Sequence, residues 1–141
     1  MQPTNSVYVF KFLPGLLAGI LLMATPMQAK TSIVNIATDT CEVYIGRGID
    51  KYAHMLTDSI EVGVEGWLGN PHHIGWCKIC EKTHDRKDCI EHFTRDFMNK
   101  VESDPEFRSS VLKIKGKVLG CYCKPKACHG DVIVAWLDGD S

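Results

Sequence analysis

The stretch that decides the fold is Lys117-Val-Leu-Gly-Cys-Tyr-Cys-Lys-Pro-Lys-Ala-Cys-His-Gly-Asp131, which runs into the apolar segment Val132-Ile-Val-Ala-Trp-Leu137. Val118-Leu119 predicts a short buried strand, Lys124-Pro125-Lys126 predicts a turn, and the apolar segment predicts a helix closed by Gly139. Three cysteines, a histidine and an aspartate therefore lie between a strand end and a helix start. Open α/β sheets bind ligands at such places, where unpaired helix N–H groups point outward.

Length and composition predict one ordinary globular domain. The chain has 141 residues, of which 45% are hydrophobic and 23% are charged, enough for one compact core. A formal net charge of -1 gives no global reason to expect binding to nucleic acid or to an anionic membrane, although it does not exclude a local basic patch. Seven cysteines cannot all pair within one chain, so metal or thiol chemistry competes with a disulfide framework.

The first 29 residues resemble a signal peptide. A polar start at residues 1–11 precedes an apolar run at residues 12–24 and a cleavage-like segment at residues 25–29. The apolar run is short for a membrane span. Two interpretations stay open: an exported protein, secreted or periplasmic, or a cytoplasmic protein whose translation starts at Met23 or Met27. In either case the domain occupies residues 30–141, and we expect no stable membrane span within it.

Two β-branched segments come next. Ser32-Ile-Val-Asn-Ile-Ala37 and Cys41-Glu-Val-Tyr-Ile-Gly46 predict strands of one sheet. The second ends in Gly46-Arg47-Gly48, where the guanidinium of Arg47 could grip an anion or could be an ordinary solvated charge. Weaker patterns predict a short helix at residues 50–56 and a short strand at residues 59–64.

A constrained loop follows, with the sequence Gly66-Trp-Leu-Gly-Asn-Pro-His-His-Ile-Gly75. A loop so rich in Gly, Asn and Pro is typical of a ligand wall or of a tight packing corner. We predict that Gly69 and Asn70 belong to a ligand-binding site, in which Asn70 supplies an amide donor and acceptor. Trp67 offers a stacking face for a ligand, or else it is a core residue.

The segment 76–92 predicts a structural zinc site. Cys77 and Cys80 form a C-x2-C pair, whose spacing lets two thiolates bind one tetrahedral ion. Cys89 and His92 complete the predicted set, with His84 as the alternative fourth ligand. A disulfide between the first two cysteines and free surface thiols are the competing interpretations.

The remaining patterns predict two more helices and hence the fold class. A helix over residues 88–102 would bury Ile90, Phe93, Phe97 and Val101, and a second helix would begin at Ser103-Asp-Pro-Glu106. The order of strands and helices predicts a small single α/β domain. Its sheet would be short, mixed or parallel and Rossmann-like, with helices packed on it.

Three motifs in this order resemble the bacterial and viral family called domain of unknown function 4326 (DUF4326). They are Val43-Tyr-Ile-Gly-Arg47, Gly66-Trp-Leu-Gly-Asn-Pro71 and Leu119-Gly-Cys-Tyr-Cys-Lys-Pro-Lys-Ala-Cys-His-Gly-Asp-Val132. The Cys-His helix start is also similar, locally, to domain of unknown function 488. The first resemblance implies a compact α/β domain but supplies no reaction. The positions that match its pattern are Gly46, Arg47, Gly69, Asn70, Pro71, Cys121, Cys123, Cys128, His129 and Asp131.

The cysteine-histidine motif has three possible interpretations. At a helix N-terminus the thiolate of Cys128 would be stabilised, and with His129 and Asp131 it could form a nucleophile or an acid–base pair. Cys121 and Cys123 would share one face of the strand, and we predict that Cys123 contacts a ligand. The same residues could instead bind a metal, or the cysteines could simply pack in the core.

Two functions of different class follow. The first is a pocket built from the three motifs that binds a nucleotide, a nucleoside or another phosphorylated small molecule, as an enzyme or a relative of one. The second is a non-catalytic zinc-binding module that contacts nucleic acid or a protein partner. Its basic surface would comprise Lys78, Lys82, Arg86, Lys87, Lys124 and Lys126.

Overall fold

A computed structural model describes residues 27–48, 55–56 and 63–139 of the chain. The leader up to residue 26 lies outside the described residues, as does most of the helix predicted at residues 50–56 and of the strand predicted at residues 59–64. No helix in the described part of the chain has the length and hydropathy needed to cross a membrane.

The described residues form a parallel sheet, a separate antiparallel pair of strands and three helices. The sheet has the order β1-β5-β2, and β3 pairs with β4. This architecture confirms the α/β class, whereas the Rossmann-like description stays a prediction. The strands are β1 (Ser32–Asn35), β2 (Val43–Tyr44), β3 (Gly75–Cys77), β4 (Lys82–His84) and β5 (Val118–Cys121), and the helices are α1 (Arg86–Ser103), α2 (Pro105–Leu112) and α3 (His129–Asp138).

Strand β5 is the centre of the sheet. Gly120 pairs with Val34 of β1 on one side and with Tyr44 of β2 on the other, both in parallel. A Cβ atom on Gly120 would lie 2.4 Å from the Sγ of Cys41 and 2.5 Å from the Cγ2 of Ile36. The connection from β1 to β2 therefore crosses β5 at a residue that must lack a side chain. Because all three strands run the same way, their carboxyl ends meet at one edge of the sheet.

Local capping chemistry sets where the helices begin. Asp85 caps α1, and its carboxylate accepts a hydrogen bond from the backbone N–H of Asp88 while the Asp88 carboxylate accepts one from Asp85. Asp104 caps α2, with Pro105 in the first turn, as the sequence predicts. Cys128 caps α3, and Gly139 closes that helix in the left-handed region at φ 75°.

The core lies between the sheet and the helices. Phe93, Phe97 and Val101 of α1 are buried, as predicted, but the fourth member of the buried stripe is Cys89 rather than Ile90. Residues at positions 89, 93, 97 and 101 are each four apart and so share one helix face. Cys89 is therefore a core residue of α1, which corrects the prediction that it lies off the buried stripe. The other buried apolar residues of this core include Ile45, Leu68, Phe107, Val111, Leu119, Ile133 and Leu137.

Candidate metal centre and adjoining cleft

The three sequence motifs meet around one cavity of about 370 Å³ at the carboxyl edge of the parallel sheet. Residues from the end of β2, from the loop before β3, from the start of α1 and from both sides of the β5–α3 connection line it. We call this cavity the cleft. Its lining residues are Tyr44, Gly46, Arg47, Asn70, His72, His73, Ile74, Arg86, Cys89, Ile90, Cys121, Tyr122, Cys123, Ala127, Cys128 and His129.

Arg47 and Asn70 both line the cleft and both hold its wall together. The Nε and Nη2 atoms of Arg47 donate to the carbonyl oxygens of Asn70 and His72, each at 3.1 Å. The side-chain amide of Asn70 donates to the carbonyl oxygen of Cys89 at 3.1 Å and accepts from the backbone N–H of His72 at 2.9 Å. Three of these bonds tie the loop to the end of β2 and to α1, and the fourth lies within the loop.

Gly69 allows the loop to approach the end of β2. A Cβ atom there would lie 3.0 Å from the carbonyl oxygen of Gly46 and 3.1 Å from the Cα of Arg47, so a side chain would push the two backbones apart by a few tenths of an ångström. Trp67 is not brought into the cleft. It is buried, its ring packs edge-on against Phe107 at 6.0 Å between centroids, and it borders a different hollow.

Beside the cleft, His72, Cys77, Cys80 and His84 converge, and one ligand atom from each lies within 4.8 Å of the others. The Nδ1 of His72 is 3.5 Å from the Sγ of Cys77 and 3.4 Å from the Sγ of Cys80. In a tetrahedral zinc site, bond lengths of about 2.3 Å to sulfur and 2.0 Å to nitrogen place S and N about 3.5 Å apart. This cluster of two cysteines and two histidines could therefore hold a metal ion.

The surroundings of this cluster also suit a metal. The Nε2 of His72 lies 2.6 Å from the Oδ2 of Asp96. If Nε2 donates its proton to this carboxylate, Nδ1 carries a lone pair that can bind a metal. A carboxylate hydrogen-bonded to a ligating histidine is a recurrent feature of zinc sites. The Nε2 of His84 is buried and has no hydrogen-bond partner among the described residues. A buried imidazole nitrogen without a partner is costly unless it binds an ion.

The two thiols of the cluster differ in pKa. Burial alone would raise the pKa of Cys77, but hydrogen bonds from the backbone of Cys80 and from His72 outweigh it and lower that pKa to about 6. Burial and the neighbouring Cys77 thiolate raise the pKa of Cys80. One of the two thiols is thus ready to bind a cation near neutral pH.

The predicted ligands Cys77, Cys80 and the alternative His84 belong to this cluster, whereas Cys89 does not. His92 stands next to it: its Nδ1 is 3.9 Å from the Sγ of Cys80, and its ring lies 4.5 Å from that of His84 between centroids. Burial, and then the neighbouring His72 and His84, lower the pKa of His92. Sequence reasoning missed His72, although a histidine five residues before the C-x2-C pair was the available signal.

A second group of ligand atoms lies in the floor of the cleft. The Sγ atoms of Cys121, Cys123 and Cys128 all lie within 4.8 Å of one another, and those of Cys121 and Cys128 are 2.8 Å apart. The Cys121 and Cys128 thiols donate hydrogen bonds that lower the pKa of Cys123, and Arg86 adds to the effect. Hydrogen bonds with Cys121 and with Cys123, together with burial, raise the pKa of Cys128.

His129 and Asp131 lie on opposite sides of the α3 start. The Nε2–H of His129 donates to the carbonyl oxygen of Ile45 at 2.8 Å, and its Nδ1 lies 3.5 Å from the Sγ of Cys128. Asp131 accepts from the backbone N–H of Cys128 at 2.9 Å and forms an ion pair with Lys124. Asp131 is thus a capping residue of α3 that does not line the cleft.

The cleft is cationic. Arg47 and Arg86 line it, and no carboxylate stands among the described lining residues. The Nη1 of Arg86 donates to the carbonyl oxygen of Ala127 at 3.1 Å, which fixes its guanidinium beside the thiol group. Burial, and then Tyr122, raise the pKa of Tyr44, so its phenol stays protonated as a hydrogen-bond donor at neutral pH. Sequence reasoning placed Arg86 on a basic surface because its partner lies 41 residues away.

Comparison with known proteins places the chain in a family. An uncharacterised 12.4 kDa protein of Enterobacteria phage T4, from the nrdA-td intergenic region, is 42% identical over 48 residues. This match covers 34% of the chain and 44% of the phage protein, so it spans less than half of that relative. No solved structure matches the chain. The model of the family "domain of unknown function (DUF4326)" matches residues 30–139, and the chain therefore belongs to that family.

Proposed function

We propose that this protein is a zinc-stabilised α/β domain whose cleft binds a phosphorylated small molecule, such as a nucleotide or a nucleoside phosphate. The convergence of three distant motifs on one cationic cavity is the observation that carries the proposal. A scaffold would not need two arginines, two tyrosines and a group of thiols at one sheet edge.

Zinc is the metal that best suits the cluster of His72, Cys77, Cys80 and His84. Two thiolates and two imidazoles form a closed tetrahedral set of the structural type. The cluster joins the loop before β3 to the β3–β4 pair, and Asp96 of α1 lies behind it. An ion here would hold one wall of the cleft in place.

The charge and shape of the cleft favour an anion with a ring. Guanidinium groups bind phosphate through paired hydrogen bonds. Tyr44 and Tyr122 stand edge-to-face at 6.4 Å between centroids and supply aromatic surface beside the arginines. A phosphate on Arg86 with a base or sugar against the tyrosines uses both features.

Zinc content tests the first half of the proposal. We expect His72→Ala to lose one equivalent of zinc and the neighbouring exposed His73→Ala to keep it, because only His72 points Nδ1 at the two thiols. Atomic emission on the purified proteins gives the result. Equal zinc content in the two variants would show that His72 is not a zinc ligand.

Calorimetric titration with AMP, ribose 5-phosphate and uncharged adenosine tests the second half. We expect the phosphorylated probes to bind, and Arg86→Gln to weaken them at least about tenfold, since a charged hydrogen bond contributes about 1.5–3 kcal/mol. Lys87→Gln removes the same charge from an adjacent, exposed side chain outside the cleft and should bind as the wild type does. Equal loss in both variants would point to a general charge effect and not to a cleft.

One observation favours the second function, a module for nucleic acid. Trp76 of β3 is 62% exposed, and the exposed Lys78 and Lys82 lie near it in the sequence. Exposed aromatic rings beside cations stack the bases of single strands. A short single-stranded oligonucleotide in the same titrations separates the two functions. Salt-sensitive binding that Trp76→Ala abolishes and Arg86→Gln leaves intact supports the module.

A further inference from the structure

We propose that Cys121, Cys123 and Cys128 hold a second zinc ion in the floor of the cleft, with one coordination position open to the cavity. The metal itself does not depend on the proposed function. The ligand in the open position does rest on the proposed function, because that ligand would be the anion bound in the cleft.

The three sulfur atoms converge from separate parts of the fold. Cys121 ends β5, Cys128 caps α3, and Cys123 lies in the loop between them. Their Sγ atoms lie within 4.8 Å of one another. A tetrahedral zinc site places two sulfurs about 3.8 Å apart, so the pair now at 2.8 Å must separate by about 1 Å. That movement falls on Cys121 and Cys128, the two buried members of the group.

Packing alone does not explain this group. Cys121 and Cys128 are buried in the apolar core, yet their sulfurs also lie 2.8 Å from each other. Groups that stabilise thiolates are also present. The backbone N–H of Gly130 donates to the Sγ of Cys128 at 3.4 Å, and the side chain of Arg86 contacts the Cys123 sulfur. Helix N-termini and arginines favour the charged form of a thiol.

Three protein ligands leave the fourth position free. The Nδ1 of His129 is 3.5 Å from the Sγ of Cys128, but His129 is not a member of the converging group. All three cysteines line the cleft, so the open side of the ion would face the cavity. A zinc ion with three protein ligands and one exchangeable position is the arrangement of catalytic sites, whereas closed sets of four are structural.

Charge identifies the class of ligand. A divalent ion bound by three thiolates carries one negative charge, and Arg47 and Arg86 beside it leave the cleft with one positive charge in excess. An oxyanion such as phosphate can therefore approach the ion, and one of its oxygens can replace the water in the fourth position. His129, whose Nε2 is fixed by Ile45, holds the Nδ1 lone pair at the edge of the site.

The test is the metal stoichiometry of the full chain, purified under reducing conditions. We expect two equivalents of zinc in the wild type and one in Cys123→Ser. Cys41→Ser is the matched control, since Cys41 belongs to neither group, and it should keep two. Cys77→Ser should also fall to one, but by losing the other ion. With cobalt in place of zinc, Cys123→Ser loses the stronger sulfur-to-metal absorption band, and inorganic phosphate shifts the visible bands of the wild type only.

Alkylation of the wild type keeps the proposal falsifiable if a variant does not fold. Zinc should slow iodoacetamide labelling of Cys121, Cys123 and Cys128 at least about tenfold, as measured by mass spectrometry. One equivalent of zinc in the wild type, unchanged labelling, or a Cys121–Cys128 disulfide that survives the reductant would overturn it. If the wild type holds two equivalents of zinc but binds neither phosphate nor AMP, the proposed ligand of the cleft is wrong and the second zinc ion is confirmed.

Discussion

His129 is a buried imidazole whose two nitrogens have different roles. Its Nε2–H donates to the carbonyl oxygen of Ile45, and its ring lies at 76° to that of Phe93, with 4.9 Å between centroids. Burial lowers the pKa of His129, and the bond to the Ile45 carbonyl opposes this only in part. The neutral ring with its proton on Nε2 is therefore the form that the fold selects.

We expect the pKa of His129 in the folded protein to lie below 6.5. Because its folded pKa lies below the unfolded value, its contribution to stability is complete above about pH 6.5 and is lost as the pH falls toward the folded pKa. Long-range proton–nitrogen NMR should show the Nε2–H tautomer at pH 6. A ring that titrates near 6.5, as in an unfolded peptide, would contradict the buried hydrogen bond.

The junction between α1 and α2 is held by one residue. Asp104 ends α1, where its backbone N–H donates to the carbonyl oxygen of Lys100 at 2.9 Å, and it begins α2, where its carboxylate accepts from the N–H of Phe107 at 3.0 Å. This side chain orients α2 so that Phe107 packs against Trp67 and Phe97. The loop that carries Asn70 rests on the same packing.

Asp104→Ala should lower the free energy of unfolding by about 1 kcal/mol, because an alanine leaves an N–H of the first helical turn unpaired. Asp104→Asn preserves the acceptor and should cost much less. Urea denaturation of the zinc-loaded proteins measures both. An equal loss in the two variants would mean that the charge of Asp104, and not its hydrogen bond, stabilises the junction.

Across the molecule, the metal cluster and the cleft share one loop. Arg47 bonds to the carbonyl oxygen of His72, and His72 directs its Nδ1 to Cys77 and Cys80. The sheet supplies the other wall, through Cys121 and through Ile45, which holds His129. Loss of the metal should therefore also disturb the cleft, because His72 connects the two sites.

We expect removal of zinc by a chelator to destabilise the protein and to abolish binding of AMP. At a free zinc concentration 1,000 times the dissociation constant, the ion stabilises the native state by about 4 kcal/mol. The melting temperature, followed by circular dichroism with and without the chelator, measures the first effect, and calorimetry measures the second. Lowering the pH to 5 should weaken zinc binding in the same way, because protons then compete with the ion for Cys77, whose pKa is about 6.

The sequence alone determined the features that depend on neighbouring residues. Asp104 and Pro105 predict the start of α2, Gly139 predicts the end of α3, and β-branched segments predict β1 and β2. These signals can be read from the sequence because caps, backbone conformations and apolar periodicity act over a few residues. The α/β class and the family follow from such signals. The local spacing of Cys77 and Cys80 likewise pointed to a metal site.

Only the tertiary structure decided which distant residues face one another. His72 joins Cys77 and Cys80, Cys89 turns into the core, and Arg86 crosses to the loop before α3. These outcomes depend on the packing of α1 against the sheet and on the loop bonds of Asn70. Successive residues of a helix point about 100° apart, so a shift of the buried face by one residue exchanges Ile90 for Cys89. The sequence of α1 does not decide between these two faces, because the choice depends on the residues against which the helix packs.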